Sequence, residues 1–300
     1  MHENTVFKAR EGEFTELADS FRDWLRNRNR SEQTILLYLG VQKMLFLYIF
    51  RQGLELSKLQ ESDIEKFFAG MGVRSKNLTG ATRALYLSAL KTFFRHLERA
   101  GRIKDSPVKN FECPRVESRE PRVFAEEEYL RLLASVRSDK KHNAIIEVFL
   151  QTGLRISELV NLELSDLQQD GEGMARLLVR QGKGSRDRLV VLPERALGAL
   201  RAWLRARRAE VGCENIFVSR FARAYSSRGM RKLVQGMFAR AGLRDAKVHT
   251  LRHTFCTHQL RKGTNIYLVM RQAGHSSLST TQKYQHLLDG WGEEIAKNSL

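Results

Sequence analysis

Apolar residues return every three or four positions along most of the chain, and the first hundred residues show this pattern four times. Phe14, Leu17, Phe21, Trp24 and Leu25 fall on one stripe of a helix over 14–28. The segment "SEQTILLYLGVQKMLFLYIFRQG" opens on Ser31, a capping side chain, and ends on Gly53, which predicts a helix between them. Ser62 is the expected cap of a third helix running through Phe68. A fourth, within "TGATRALYLSALKTFFRHLERAG", is closed by Gly101. Short connections between four such stripes predict a small helical bundle.

The pattern then breaks. "IKDSPVKNFECPRVESREPRVF" holds Pro107, Pro114 and Pro121, three of the four prolines, among many charges and few apolar residues. Proline pushes its neighbours toward extended backbone, so this stretch reads as an exposed linker. The expected division is a helical domain over 1–112, a linker over 113–121, and a second domain over 122–300 ending in a tail.

Beyond the linker the periods mix. "EEEYLRLLASV" and "HNAIIEVFLQTG" are helical, and "RALGALRAWLRARRAEV" predicts another helix. "MARLLVR" and "RLVVLP" are short β-type runs around the glycine-containing turn "QGKGSRD" and predict a hairpin. "NIFVS" is a strand candidate, and the remainder is helical in period. The expected fold is mainly α with a small β-sheet, an N-terminal helical domain preceding an α+β domain.

Charge sharpens the picture. The chain carries 51 Lys and Arg against 34 Asp and Glu, a net +17. Residues 180–261 alone hold 19 basic and 5 acidic side chains, whereas 1–112 hold 19 and 14. A field of that sign concentrates polyanions, and the planar fork of arginine suits phosphate, so nucleic acid is the expected partner. No run of about 18 apolar residues is evident, so no membrane helix is expected. The polar start lacks a signal peptide's apolar core. Three widely spaced cysteines, Cys113, Cys213 and Cys256, give no disulfide framework and fit a reducing cytoplasm.

Four stretches carry candidate chemistry. In "TGLRISEL", Gly153 ends one helix and Arg155 opens the next, with Glu158 placed to hold its guanidinium; taken alone, this reads first as an ordinary surface pair. In "HTLRHTFCTH", His249 and Arg252 share a helix face while Leu251 and Phe255 form a buried stripe, which puts the polar pair beside the core. An imidazole and a guanidinium so placed suit two oxygens of one phosphate. His249 and His253 also have the spacing of a helical zinc pair, but there is no acidic ligand nearby and Arg252 would repel a cation. His253 and His258 are expected to be structural. "GHSSLSTTQKY" supplies His275 and Tyr284; a phenol becomes a competent nucleophile where cations stabilise its phenolate. Lys183, flanked by Gly182 and Gly184 on the hairpin tip, reads either as an exposed turn lysine or as a mobile ammonium reaching a cleft.

Taken in order, "TGLRISELVNL", "GKGSRDRLVVLP", "HTLRHTFCTHQLRKG" and "GHSSLSTTQKY" resemble the boxes of the tyrosine recombinase/integrase family, closest to its Xer-type members. The first hundred residues resemble that family's SAM-like core-binding domain. The resemblance implies an active site of Arg155, Lys183, His249, Arg252, His275 and the nucleophile Tyr284. It implies site-specific DNA cutting and rejoining through a 3′-phosphotyrosyl intermediate, with no cofactor, metal or ATP. The role it implies is dimer resolution of chromosomes or plasmids, or mobile-element integration and excision. It implies a homotetramer on two DNA sites, joined through the C-terminal tail, in the cytoplasm on the nucleoid. An accessory recombinase or motor protein is left open. The alternatives are relaxation of the type IB topoisomerase kind and a DNA-binding factor without catalysis.

Overall fold

The computed structural model describes residues 2–74, 79–112, 121–169, 174–180, 187–208 and 212–274, leaving out the side chains of 2–11 and 72–74. The chain separates into two compact units, Met1–Ser118 and Arg119–Leu300.

In the first unit, helices α1 (His2–Arg26), α2 (Glu32–Gln52), α3 (Glu61–Arg74) and α4 (Gly80–Arg99) form the expected bundle. Ser31 caps α2 by accepting from the backbone N–H of Thr34, and Gly53 ends it in the left-handed region at φ 64°. Thr79 caps α4 in the same way. Ser62 does not cap α3: the helix starts one residue earlier, and Asp63 accepts from the Gln60 N–H instead (3.1 Å). The core joins Phe21 and Leu25 of α1, Leu45 and Ile49 of α2, and Phe93 and Phe94 of α4. Phe93 meets Phe21 and Phe46 edge-on, with centroids 5.1 and 5.7 Å apart. α2 is the one described helix long and apolar enough, at a mean hydropathy of 1.4, to meet the length and composition of a membrane span. Its Ile35, Val41, Leu45, Phe46 and Ile49 are buried within the bundle, which is how a core helix comes by such a composition.

The second unit contains α5 (Glu126–Val136), α6 (Lys140–Thr152), α7 (Ile156–Asn161), β1 (Leu167–Gln169), β2 (Ala175–Val179), β3 (Arg188–Leu192), α8 (Glu194–Leu204), α9 (Ser227–Arg240), α10 (Val248–Arg261) and α11 (Ile266–Ala273). The three strands form one antiparallel sheet in the order β1-β2-β3, with Ala175 opposite Leu192 and Val179 opposite Arg188. Ala175, Leu177, Val179, Val190 and Leu192 point into the core, the period-two alternation expected of a half-buried hairpin. Strand β1 is an addition that three residues of mixed polarity did not announce. The Gln272 side chain of α11 bonds the Val191 N–H and C=O of β3 at 3.1 and 2.7 Å, tying that helix to the sheet edge.

Two expectations fail here. The helix after Pro193 ends at Leu204 rather than Val211, because Arg207 turns back to donate to the carbonyls of Cys213 and Asn215. "NIFVS" is not a strand: only single bridges form, Glu163 with Asn215 and Val218 with Ala224. Its apolar residues instead bury Ile216, Phe217 and Val218 in the core. Residues 113–120 of the expected linker lie outside the described residues.

Candidate active site

The site is built where three chain breaks in the helical pattern meet: the end of α6, the start of α10 and the end of α11. Gly153 ends α6 at φ 65°, and an added Cβ there would stand 2.4 Å from the ring of Phe255 on α10. Only glycine permits both the backbone angle and that approach. Arg155 follows at the cap position of α7. Its N–H donates to Glu158 Oε2 and its Nη1 to Oε1, each at 2.8 Å, so one carboxylate fixes both the backbone and the guanidinium.

Glu158 is shared. Arg188, the first residue of β3, grips the same carboxylate with both terminal nitrogens at 3.0 and 2.8 Å. Burial pushes the Glu158 carboxyl up, but the bonds from Arg188 and Arg155 outweigh it and hold the group below its ordinary value of 4.5. It is therefore charged at neutral pH, a fixed anion between two guanidiniums.

The three arginines Arg155, Arg188 and Arg252 converge on the last carbonyls of α11. Arg252 Nη1 donates to Ala273 O at 2.5 Å and to Gly153 O at 2.7 Å. Arg155 donates to Gly274 O, and Arg188 to Ala273 O at 3.3 Å and Gln272 O at 3.4 Å. The end of a helix carries partial negative charge, so cations gather there favourably. Gly274 stands at φ 72°, and a Cβ on it would lie 2.5 Å from the Arg188 guanidinium.

Arg252 is 6% exposed, so it lies within the core and not merely beside it as its spacing suggested. Burial, then the nearby Arg155, pushes its guanidinium down to about 10. His249, one turn earlier on α10, opens onto a cavity of about 150 Å³ lined also by Arg155, Arg231, Gln235, Lys247 and Arg252. Partial burial of the imidazole, then Arg252, Arg231 and Arg155, push it below its ordinary 6.5, so the ring is neutral near pH 7. A neutral ring beside guanidiniums accepts a proton, while the guanidiniums donate to an anion.

The structure thus brings Arg155, His249 and Arg252 together. Lys183, His275 and Tyr284 lie outside the described residues, though His275 directly follows the gripped Gly274. His258 is exposed near the end of α10 rather than satisfied inside the domain. Among the described residues no three potential metal ligands gather. Sequence reasoning missed Arg188 and Arg231. Arg188 is thirty positions from its partner Glu158, beyond any helical or strand spacing.

Residues 122–290 match the model of the phage integrase family, and residues 18–101 that of the phage integrase N-terminal SAM-like domain. The tyrosine recombinase XerC of Lactobacillus leichmannii is 32% identical over 286 residues, covering 90% of this chain and 94% of that protein. This chain is a tyrosine recombinase of the phage integrase family. As such the recombinase is an enzyme that cuts and rejoins DNA. A tyrosine recombinase of Thermosipho africanus is 29% identical over 277 residues, covering 90% and 95% of the two chains. The crystal structure of XerH site-specific recombinase bound to palindromic difH substrate, a post-cleavage complex, superposes with a TM-score of 0.73 at 25% identity, covering 90% of this chain and 81% of that one. The N-terminal helical unit and the mixed second unit therefore have the architecture of that family.

Proposed function

We propose that this recombinase is an Xer-type, site-specific enzyme in which Tyr284 attacks a DNA phosphodiester to form a 3′-phosphotyrosyl bond and free a 5′-hydroxyl. The observation that carries the reading is the shared cavity of Arg155, His249 and Arg252: two guanidinium donors and a neutral imidazole around a space suited to one phosphate. Arg155 and Arg252 neutralise the charge that builds on five-coordinate phosphorus. His249 accepts the proton of Tyr284, Lys183 gives one to the leaving 5′-oxygen, and His275 donates a further hydrogen bond. The 5′-hydroxyl of a partner strand then reverses the attack, so the bond is conserved and neither metal nor ATP is called for. The role we assign is dimer resolution or mobile-element exchange on the nucleoid. Residues 1–112 would act as the core-binding half and 122–300 as the catalytic half of a clamp, assembled as a tetramer on two sites. The C-terminal tail that would link protomers lies outside the described residues.

The test starts from duplexes that the protein retains from a random pool. A nick beside the cleavage position lets the freed end diffuse away and traps the covalent adduct. With EDTA present, the wild-type protein forms an adduct that survives detergent, whereas Tyr284→Phe binds the duplex and forms none. An adduct in Tyr284→Phe reassigns the nucleophile. Relaxation of plasmids without any retained site points instead to a topoisomerase.

A further inference from the structure

The cavity that holds Arg155, His249 and Arg252 is also lined by Arg231, which none of the sequence boxes contains. Arg231 lies on α9, the helix packed against both α7 and α10. Gln235, one turn later on the same helix, also lines the cavity and is anchored by donating to Ala246 O at 3.1 Å. That bond fixes the face of α9 turned to the cavity, and Arg231 stands on it. Every ionisable side chain lining the cavity is basic: Arg155, Arg231, Lys247, His249 and Arg252, with no carboxylate among them. Arg155 is balanced from outside the cavity by Glu158. Arg231 has no carboxylate paired with it among the described residues, and its exposed side chain is open to a ligand. Like charges gathered in one small space repel, and an anion arriving there relieves the repulsion. Burial is the first cause of the depressed proton affinities of His249 and Arg252, and neighbouring guanidiniums, Arg231 among them for His249, lower them further.

We propose that Arg231 is a further catalytic residue of the recombinase, a third guanidinium that neutralises a non-bridging oxygen of the scissile phosphate beside Arg155 and Arg252. This rests on the reading of the cavity as the phosphate site. The covalent step is unaltered: the Tyr284 oxygen–phosphorus bond forms, the phosphorus–O5′ bond breaks, and O5′ takes its proton from Lys183. Arg231 supplies charge alone. It is needed only while phosphorus carries the additional negative charge of the five-coordinate state.

The nicked duplex of the preceding test, made with either a phosphate or a methylphosphonate at the cleaved position, decides this. Methylphosphonate replaces one charged non-bridging oxygen with a methyl group and leaves both reacting bonds in place. Arg231→Ala should cleave the ordinary phosphate about a hundred- to a thousand-fold more slowly, the scale of losing one charge-stabilising donor. On methylphosphonate it should return to within a few-fold of wild type, and Arg231→Lys should keep part of the rate on phosphate. A wild-type rate for Arg231→Ala on phosphate overturns the proposal, as does a deficit that methylphosphonate leaves in place. Rescue of Lys247→Ala but not Arg231→Ala assigns the role to the wrong side chain and overturns it as well. Arg155→Ala, run alongside, separates the two levels. If wild type forms no adduct, the phosphotyrosyl reading falls and takes Arg231 with it. If wild type reacts and Arg155→Ala is rescued but Arg231→Ala is not, only the assignment of Arg231 falls.

Discussion

At the scale of single residues, the candidate site depends on what stands next to each ionisable group. Glu158 is anionic because two guanidiniums claim its oxygens, despite burial that opposes the charge. His249 is neutral for the converse reason: partial burial and three neighbouring cations disfavour a further positive charge. The folded-state value of His249 is depressed below its ordinary 6.5, so its ring is an acceptor at neutral pH and takes up a proton on the acid side. Cleavage rates measured at subsaturating DNA, which report the free enzyme, should therefore fall on the acid side with a midpoint below the 6.5 of an ordinary imidazole. A midpoint at or above 6.5 that vanishes in His249→Gln would contradict the neutral ring. Part of this was legible in the sequence. The three-residue spacings Arg155–Glu158 and His249–Arg252 are helical neighbours, and the local geometry follows from them. Arg188 and Arg231 were not legible, because their partners come from other elements and no period links them.

At the scale of elements, the site is held by close helix contacts that glycine alone allows. Phe255 of α10 presses on Gly153 where α6 ends, and this contact sets the depth at which Arg252 meets the Gly153 carbonyl. Gly153→Ala combines a left-handed backbone with a collision against an aromatic ring. It should cost about 2–4 kcal/mol in urea unfolding. Gly242→Ala serves as the comparison, since it has a similar backbone angle, φ 75°, but nothing within 4 Å of the added Cβ. It should cost only about 1–2 kcal/mol. Equal losses at the two positions would mean that the Phe255 contact is soft. Several helices were readable because they carry their own boundary signals, as Ser31 does at the start of α2 and Gly53 and Gly153 do at the ends of α2 and α6. The errors came where tertiary partners overrode local pattern. Arg207 leaves its helix for the carbonyls of Cys213 and Asn215, and "NIFVS" finds core contacts without a neighbouring strand.

At the scale of the whole molecule, the excess of positive charge suits an enzyme that acts on DNA. If the tail links protomers, removal of residues 289–300 should weaken cooperative occupancy of paired sites by about ten-fold or more in a gel-shift titration, the effect of losing a modest linking contact. Single half-site binding should be unchanged. Unaltered cooperativity would place the link between protomers elsewhere.

The sequence by itself determined the helical period of both units, the hairpin, the basic character of residues 180–261 and the family. Each of these is written in neighbouring residues or in their order, and needs no knowledge of what lies across the core. Only the tertiary structure decided that Glu158 serves two arginines, that three guanidiniums hold the end of α11, and that Arg231 faces the same cavity as Arg155, His249 and Arg252. Those are contacts between elements tens of residues apart, and long-range packing, rather than any local preference, brings such side chains within a few ångströms of each other.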